Sequence, residues 1–147
     1  MNLTEHFTLD ELTHTDHRTL DNTPNEAELA NLKRLAEFLE AVKTVLGGKP
    51  IIVNSAFRSK AVNDAVGSKD TSQHRLGCAA DIRVIGMTPD EVVRAIIESD
   101  LEYDQVIREF ATPTGGGWTH ASIPNSPSAV ARGQALIIDK AGTRAFA

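Results

Sequence analysis

The stretch Ser72-Gln-His-Arg-Leu-Gly-Cys-Ala-Ala-Asp81 joins a polar loop to a run of small and apolar residues. Its glycine allows the chain to turn sharply, and the run that follows predicts a strand over residues 78–84. Side chains alternate between the two faces of a strand, so Ala79 and Asp81 share one face. Because Ala79 is small, that face has room beside the backbone. We therefore expect Asp81, together with His74 from the loop, to border a site on one face of a sheet.

A second set of side chains that share a face lies downstream, where Trp118, His120 and Ser122 alternate with other residues in a predicted strand. If this strand is a neighbour of the strand at 78–84, His120 meets the histidine and the aspartate of the first stretch at one point. Further strands are predicted at residues 50–55, 105–110, 118–123 and 134–139, with residues 114–117 as a hairpin loop.

Helix starts are marked by three similar capping motifs, in which a threonine is followed three residues later by a glutamate. They lie at residues 8–11, 23–26 and 88–91. The second opens the longest predicted helix, over about residues 24–46, whose leucines recur at helical spacing before two glycines end it. Shorter helices are predicted after residue 8, over 59–66 and from 88 through 97. This order predicts an α+β fold with a central antiparallel sheet and flanking helices, in a single domain over residues 1–147.

The composition is that of a soluble globular domain, with 41% apolar and 24% charged residues among 147. A formal charge of −5 argues against nucleic acid as a partner, because neutralising phosphates requires a basic surface. No apolar run approaches the ~20 residues that span a bilayer, and the first residues lack the features of a secretory signal. The single cysteine, Cys78, excludes an internal disulfide and is expected in the core. We expect a monomer that is synthesised in the cytoplasm.

Two imidazoles and one carboxylate, from His74, Asp81 and His120, form a set that suits a catalytic zinc site, because three protein ligands leave the fourth position to water. A closed structural site usually needs several cysteines, and this chain has one. Taken singly, the three residues could instead be a surface loop histidine, a turn acid and a half-buried core histidine. The remaining histidines lie in the polar N-terminal segment and are expected at the surface: His6, His14 and His17.

The pattern Ser-x-His-x-x-Gly-x-Ala-x-Asp, followed by Trp-x-His-x-Ser, resembles the signature of the zinc D-alanyl-D-alanine carboxypeptidase family. That family includes related peptidoglycan peptidases, among them several phage endolysins. Upstream, Ser55-Ala-Phe-Arg-Ser59 is similar to the family's Ser-Gly-Tyr-Arg-Ser element. The opening His6-Phe-Thr-Leu-Asp-Glu-Leu12 resembles the start of the small single-domain members. The resemblance spans about residues 6–123 and implies the fold that this family shares with the hedgehog signalling domain.

The resemblance also implies zinc bound by the two histidines and the aspartate, with a carboxylate as general base. Many members carry an acid two or three positions before the second histidine, but this chain has Gly117 and Trp118 there. Glu109 is the preferred base, because it lies on the preceding strand of the proposed hairpin. Asp104 is the alternative, and a site without any base is the third possibility.

Arg58 is implied, by the same resemblance, to hold negative charge on the substrate, either on the scissile carbonyl oxygen or on a C-terminal carboxylate. The alternative is an arginine exposed at the start of a helix. Four further residues are candidate contacts to the substrate or to the ligands, although the last of them could equally pack in the fold: Ser55, Ser72, Gln73 and Trp118.

These features predict a zinc metallopeptidase that cuts peptidoglycan stem peptides, either a D-Ala-D-Ala carboxypeptidase or an endolysin-type endopeptidase. The bond is undecided, because pocket shape and not the ligand motif sets that choice. The missing signal favours a phage lytic or virion-associated enzyme that acts on the cell wall. The alternative is a non-catalytic module, stabilised by zinc, that binds a partner or builds a virion, since the hedgehog domain resembles this fold and acts by binding.

Overall fold

The computed structural model describes residues 1–146, in which helices and strands follow the predicted mixed order. The helices are α1 (Leu9–Leu12), α2 (Glu26–Val45), α3 (Lys60–Ala65) and α4 (Pro89–Glu98), and a short 3₁₀ helix covers Gln73–Leu76. The strands are β1 (Ile51–Ser55), β2 (Ala79–Val84), β3 (Gln105–Glu109), β4 (Trp118–Ser122), β5 (Gln134–Asp139) and β6 (Gly142–Ala145). Among the described residues, none of the helices is long and apolar enough to cross a bilayer.

All six strands form one sheet in the order β1-β2-β4-β3-β5-β6. Every neighbouring pair is antiparallel except β3 with β5, which is parallel. The prediction of an α+β fold with a central antiparallel sheet is therefore confirmed, with one parallel pair added. Strand β6 was not predicted, because its Gly-Thr-Arg-Ala sequence is exposed along its whole length and carries no apolar alternation.

The hydrophobic core lies between the helices and one face of the sheet. Its largest contributions come from apolar side chains of α2 and α4, which pack with alternate residues of β2, β3 and β4: Leu32, Leu35, Leu39, Val42, Val92, Val93, Ile96, Ala80, Ile82, Val106 and Ala121. Burying one such leucine or isoleucine contributes about 1.5–3 kcal/mol. Since strand residues alternate in direction, the same strands present Asp81 and His120 to the opposite face. The core thus fixes which side chains can reach the site.

The start of α2 differs from the prediction by two residues. Asn25 and not Thr23 caps the helix: its side chain accepts a hydrogen bond from the Glu28 backbone at 2.8 Å, and the Asn25 backbone N–H donates to the Glu28 carboxylate at 2.9 Å. Thr23 is engaged elsewhere, because its backbone and its hydroxyl both donate to Asp21. Asparagine is also the stronger capping residue. The capping boxes that open the two other helices are confirmed.

The polar loop expected before β2 contains the 3₁₀ helix, and Gly77 ends it in a left-handed conformation with φ of +79°. A side chain here would be strained, and its Cβ would also lie 3.0 Å from the carbonyl oxygen of Glu28 and 3.1 Å from Leu32 Cγ. The glycine therefore allows both the predicted turn and a close approach to α2. This contact holds the segment that carries His74 against the longest helix.

Candidate metal centre

Asp81 and His120 lie directly opposite each other on paired strands. Strands β2 and β4 are antiparallel neighbours in which these two residues are register partners. His120 Nδ1 lies 3.1 Å from Asp81 Oδ1. The sequence left open whether the two strands are adjacent, and in the structure they are paired neighbours. Side chains of directly opposed residues project from the same face, which explains why the two polar groups converge.

His74 reaches the same carboxylate from the 3₁₀ helix. Its Nδ1 lies 2.7 Å from the backbone oxygen of Ala56. A carbonyl oxygen can only accept, so Nδ1 carries a proton, and Nε2 is the ring nitrogen that is left to bind a metal ion. That Nε2 lies 3.4 Å from Asp81 Oδ1. A hydrogen bond of this kind fixes the tautomer and the ring orientation of histidines that bind metals.

The three side chains fit a divalent metal ion. Each of His74, Asp81 and His120 offers one ligand atom, and these atoms all lie within 4.8 Å of one another. Two ligands of a tetrahedral zinc ion, each about 2.1 Å from it, are about 3.4 Å apart. The separations of 3.4 and 3.1 Å from Asp81 Oδ1 to the two histidine nitrogens are close to that value. The donor set and its spacing are therefore those of a zinc site with room for a further ligand.

Electrostatics favour a negative charge on Asp81. Its side chain is mostly buried, and burial alone would raise the pKa of the carboxyl group. The neighbouring imidazoles of His74 and His120 outweigh that effect and hold the pKa of Asp81 well below its ordinary value. An ionised carboxylate is the form that binds a metal.

Arg58 lies at the same site. Its Nη2 is 3.3 Å from Asp81 Oδ2, the carboxylate oxygen that does not face the histidines. The Nε donates to Ser55 Oγ at 3.2 Å, and the backbone N–H donates to the carbonyl oxygen of His74. The Arg58 side chain is 16% exposed, so it is partly open to solvent. Ser55 accepts this hydrogen bond and so holds the Arg58 side chain in place.

Glu109 ends β3 on the face that carries the ligands. It is the register partner of Trp118, two residues from His120 on β4. Burial raises the pKa of Glu109, and the charge of Asp81 raises it further against opposing effects of His120 and Arg58. The register of β3 with β4 places Glu109 two residues along from the partner of His120, on the same face of the sheet.

Trp118 packs beside this carboxyl group. Its ring stands 5.6 Å from that of Phe110, which has an unusual φ of +51°. The indole N–H is buried without a hydrogen bond of good geometry, but it is close enough to lower the pKa of Glu109. Trp118 thus both packs in the fold and borders the site.

The remaining candidates have contacts that favour a structural role over the roles suggested by the sequence. The buried Asp104 carboxylate is paired with Arg132, at 2.7 Å, and accepts from Gln73. Gln73 Nε2 also lies 2.9 Å from the Ile123 carbonyl oxygen, so the amide nitrogen is engaged within the fold, while the buried Oε1 has no hydrogen-bond partner. Ser72 caps the 3₁₀ helix, with its hydroxyl accepting from the backbone of His74. Arg132 was missed because no motif surrounds it.

The other histidines lie at the surface and the cysteine lies in the core, as the sequence predicts. His6 is about half exposed and bonds Glu40 on α2, at 2.7 Å from Nδ1 to Oε1. His14 and His17 are also exposed, and neither belongs to a metal-binding group among the described residues. Cys78 is a free thiol in the core, and burial raises its pKa.

Comparison with known proteins agrees with this geometry. The family model described as Peptidase M15 matches residues 5–121. A segment of 44 residues is 46% identical to the zinc D-Ala-D-Ala carboxypeptidase of Streptomyces albus G. That segment makes up 30% of this chain and 17% of the length of the relative. The family match covers all of the candidate ligands, together with Arg58 and Glu109.

Proposed function

The chain belongs to the peptidase M15 family, and from this premise we propose that it is a zinc-dependent peptidase of peptidoglycan stem peptides. The observation that carries the proposal is the convergence of His74, Asp81 and His120 on one point. The similar carboxypeptidase supports zinc as the metal and D-Ala-D-Ala as the first bond to test. Cleavage at an internal bond of the stem peptide is the second possibility. A lytic or virion-associated role in phage stays a prediction.

Three groups would hold the ion: Nε2 of His74, Oδ1 of Asp81 and Nδ1 of His120. A bound zinc ion would polarise the scissile carbonyl and lower the pKa of a water molecule to about 7. The protein supplies the rest of the site. The hydrogen bond from His74 to Ala56, at 2.7 Å, keeps the ring aimed at Asp81, and a similar bond in other metal sites raises the basicity of the ligand.

Glu109 is the proposed general base. Peptide hydrolysis requires that a proton be taken from water and delivered to the leaving amine. The carboxyl group of Glu109 lies on the ligand face at the end of β3 and is partly buried. A carboxylate in such surroundings holds a proton more tightly than an exposed one, which suits it to shuttle the proton. Asp104 is less suited, because four hydrogen bonds from Arg132 engage its carboxylate.

Arg58 is the residue that we propose to bind negative charge on the substrate. Its Nη2 contacts Asp81 at 3.3 Å while Nε is held by Ser55, so the guanidinium is fixed in position before a substrate arrives. A fixed guanidinium can donate two parallel hydrogen bonds to a carboxylate, or stabilise charge that develops on the scissile oxygen.

Replacing Arg58 with alanine should lower hydrolysis by about 10²-fold while zinc stays bound, because one fixed donor to developing charge is lost. Lysine at this position should restore activity only in part, since an ammonium group lacks the planar fork. Steady-state rates on a stem peptide, with zinc content from elemental analysis, measure both effects. The exposed Arg144 offers a matched control, because Arg144→Ala removes the same charge from β6, at the edge of the sheet beyond β3 and β5. Native activity of Arg58→Lys would show that a simple point charge suffices.

Digestion of purified peptidoglycan tests the proposed reaction itself. Soluble or shortened peptides should form with the zinc-loaded protein, should fail to form after chelation, and should form again when zinc is returned. Formation at the same rate in the chelated protein would rule out a zinc-dependent reaction.

A further inference from the structure

A buried polar cluster, which we call the Gln73 anchor, lies beside the candidate metal centre. It consists of Gln73, Asp104, Asn125 and Arg132. The side-chain nitrogen of Gln73 donates within this cluster, at 3.1 Å to Asp104 Oδ2 and at 2.8 Å to Asn125 Oδ1, and also lies 2.9 Å from the carbonyl oxygen of Ile123. Gln73 is only 9% exposed, so these protein groups take the place of water as partners of its amide nitrogen, while the buried Oε1 has no partner.

Asp104 supplies the negative charge of the anchor and is only 4% exposed. Arg132 surrounds it: the backbone N–H and Nε donate to Oδ1 at 3.0 and 3.1 Å, and Nη2 donates to Oδ2 at 2.7 Å. Burial alone would raise the pKa of Asp104, but the hydrogen bonds from Arg132 and Gln73 hold it below its ordinary value. The charge is therefore paired and fully engaged, as buried charges must be.

The anchor joins the segments that carry the three proposed ligands. Gln73 directly precedes His74 on the 3₁₀ helix, and its carbonyl accepts from Cys78, the residue before β2. Ile123 directly follows β4, and its backbone N–H donates to the carbonyl of Cys78. Asp104 directly precedes β3, with its N–H bonded to the carbonyl of Ser122 at the end of β4. Side-chain and backbone hydrogen bonds of Gln73 and Asp104 thus tie the 3₁₀ helix to the end of β4 and to the residue before β2.

We propose that Asp104 and Gln73 are positioning residues, which orient His74 and thereby set the affinity of the centre for zinc. A 3₁₀ helix of four residues has poor internal hydrogen bonds and cannot fix its own orientation. The bond from His74 to Ala56 restrains the ring, whereas the anchor restrains the backbone that carries it. This inference rests on the proposed function in one respect, that His74 is a ligand.

The test is the zinc dissociation constant of two variants, measured by competition with a chromophoric chelator at a temperature where each zinc-free protein is folded. Asp104→Asn turns one acceptor oxygen into a donor that must face Arg132 or Gln73. Gln73→Met keeps the length of the side chain and removes its amide, while the ion pair stays intact. Each variant should bind zinc about tenfold more weakly, as is typical when a group that supports a ligand is lost.

Asp139→Asn is the matched control. It breaks another aspartate–arginine pair, that of Asp139 with Arg144 at 2.9 and 3.0 Å, between β5 and β6 at the far edge of the sheet. Zinc affinity should be unchanged in this variant even if its stability falls. The proposal is overturned if Asp104→Asn and Gln73→Met bind zinc as tightly as the parent, or if the control loses as much affinity as they do. If the parent chain itself binds no zinc, the proposed function is contradicted together with this inference.

Discussion

Replacing Glu109 with glutamine should lower the rate of stem-peptide hydrolysis by about 10²–10⁴-fold, the usual effect of losing a general base. Glutamine has nearly the same shape and keeps a polar tip, but it cannot accept a proton. The three proposed ligands are untouched, so zinc content and thermal stability should equal those of the parent. Steady-state rates, elemental analysis and thermal unfolding measure the three properties on one preparation.

Two comparisons separate this effect from a general loss of charge. Glu102 is exposed and lies before Asp104, outside the ligand face, so Glu102→Gln should keep the parent rate. Asp104→Asn, assayed with excess zinc, should lose far less activity than Glu109→Gln, because Asp104 acts on the affinity of the site and not on the proton. If Glu109→Gln hydrolyses the peptide as fast as the parent, Glu109 is not the base.

Alanine at His74, Asp81 or His120 should reduce bound zinc from about one ion per chain to a small fraction of that, and should abolish hydrolysis. Two remaining protein ligands leave a weak site, and a ligand set with the wrong charge lowers affinity further. Elemental analysis after gel filtration measures zinc per chain. His14→Ala is the control, because it removes an imidazole that belongs to no metal-binding group. Full zinc content in all three ligand variants would contradict the assignment.

The ligand face could be predicted from the sequence because it depends on strand periodicity. Asp81 lies in the run that predicts β2, and His120 lies in the run that predicts β4. Alternation then fixes which side chains share a face. What the sequence left open was the adjacency of the two strands, since pairing joins residues 39 positions apart. In the structure the two strands are adjacent, and Asp81 and His120 are register partners.

Other features could not be predicted, because they depend on contacts between distant parts of the chain. The Gln73 anchor joins residues 28 to 52 positions apart, and Arg132 carries no local pattern that marks it as a partner of Asp104. Similarly, the bond from His74 to the backbone oxygen of Ala56 could not be predicted, because sequence motifs mark side chains and not backbone acceptors. The start of α2 was misplaced for a local reason, because both Thr23 and Asn25 are good caps and only the structure shows that the threonine is engaged.

The central claim, that this chain is a zinc peptidase of the cell wall, is tested most directly by mass spectrometry of muropeptides after digestion of purified peptidoglycan. The zinc-loaded parent should produce stem peptides that have gained one water at a defined peptide bond, and the products identify that bond. Glu109→Gln, carrying the same zinc, should leave nearly all stem peptides intact. If the zinc-loaded parent also leaves every muropeptide intact, the peptidase assignment is contradicted, and a zinc-stabilised binding module replaces it.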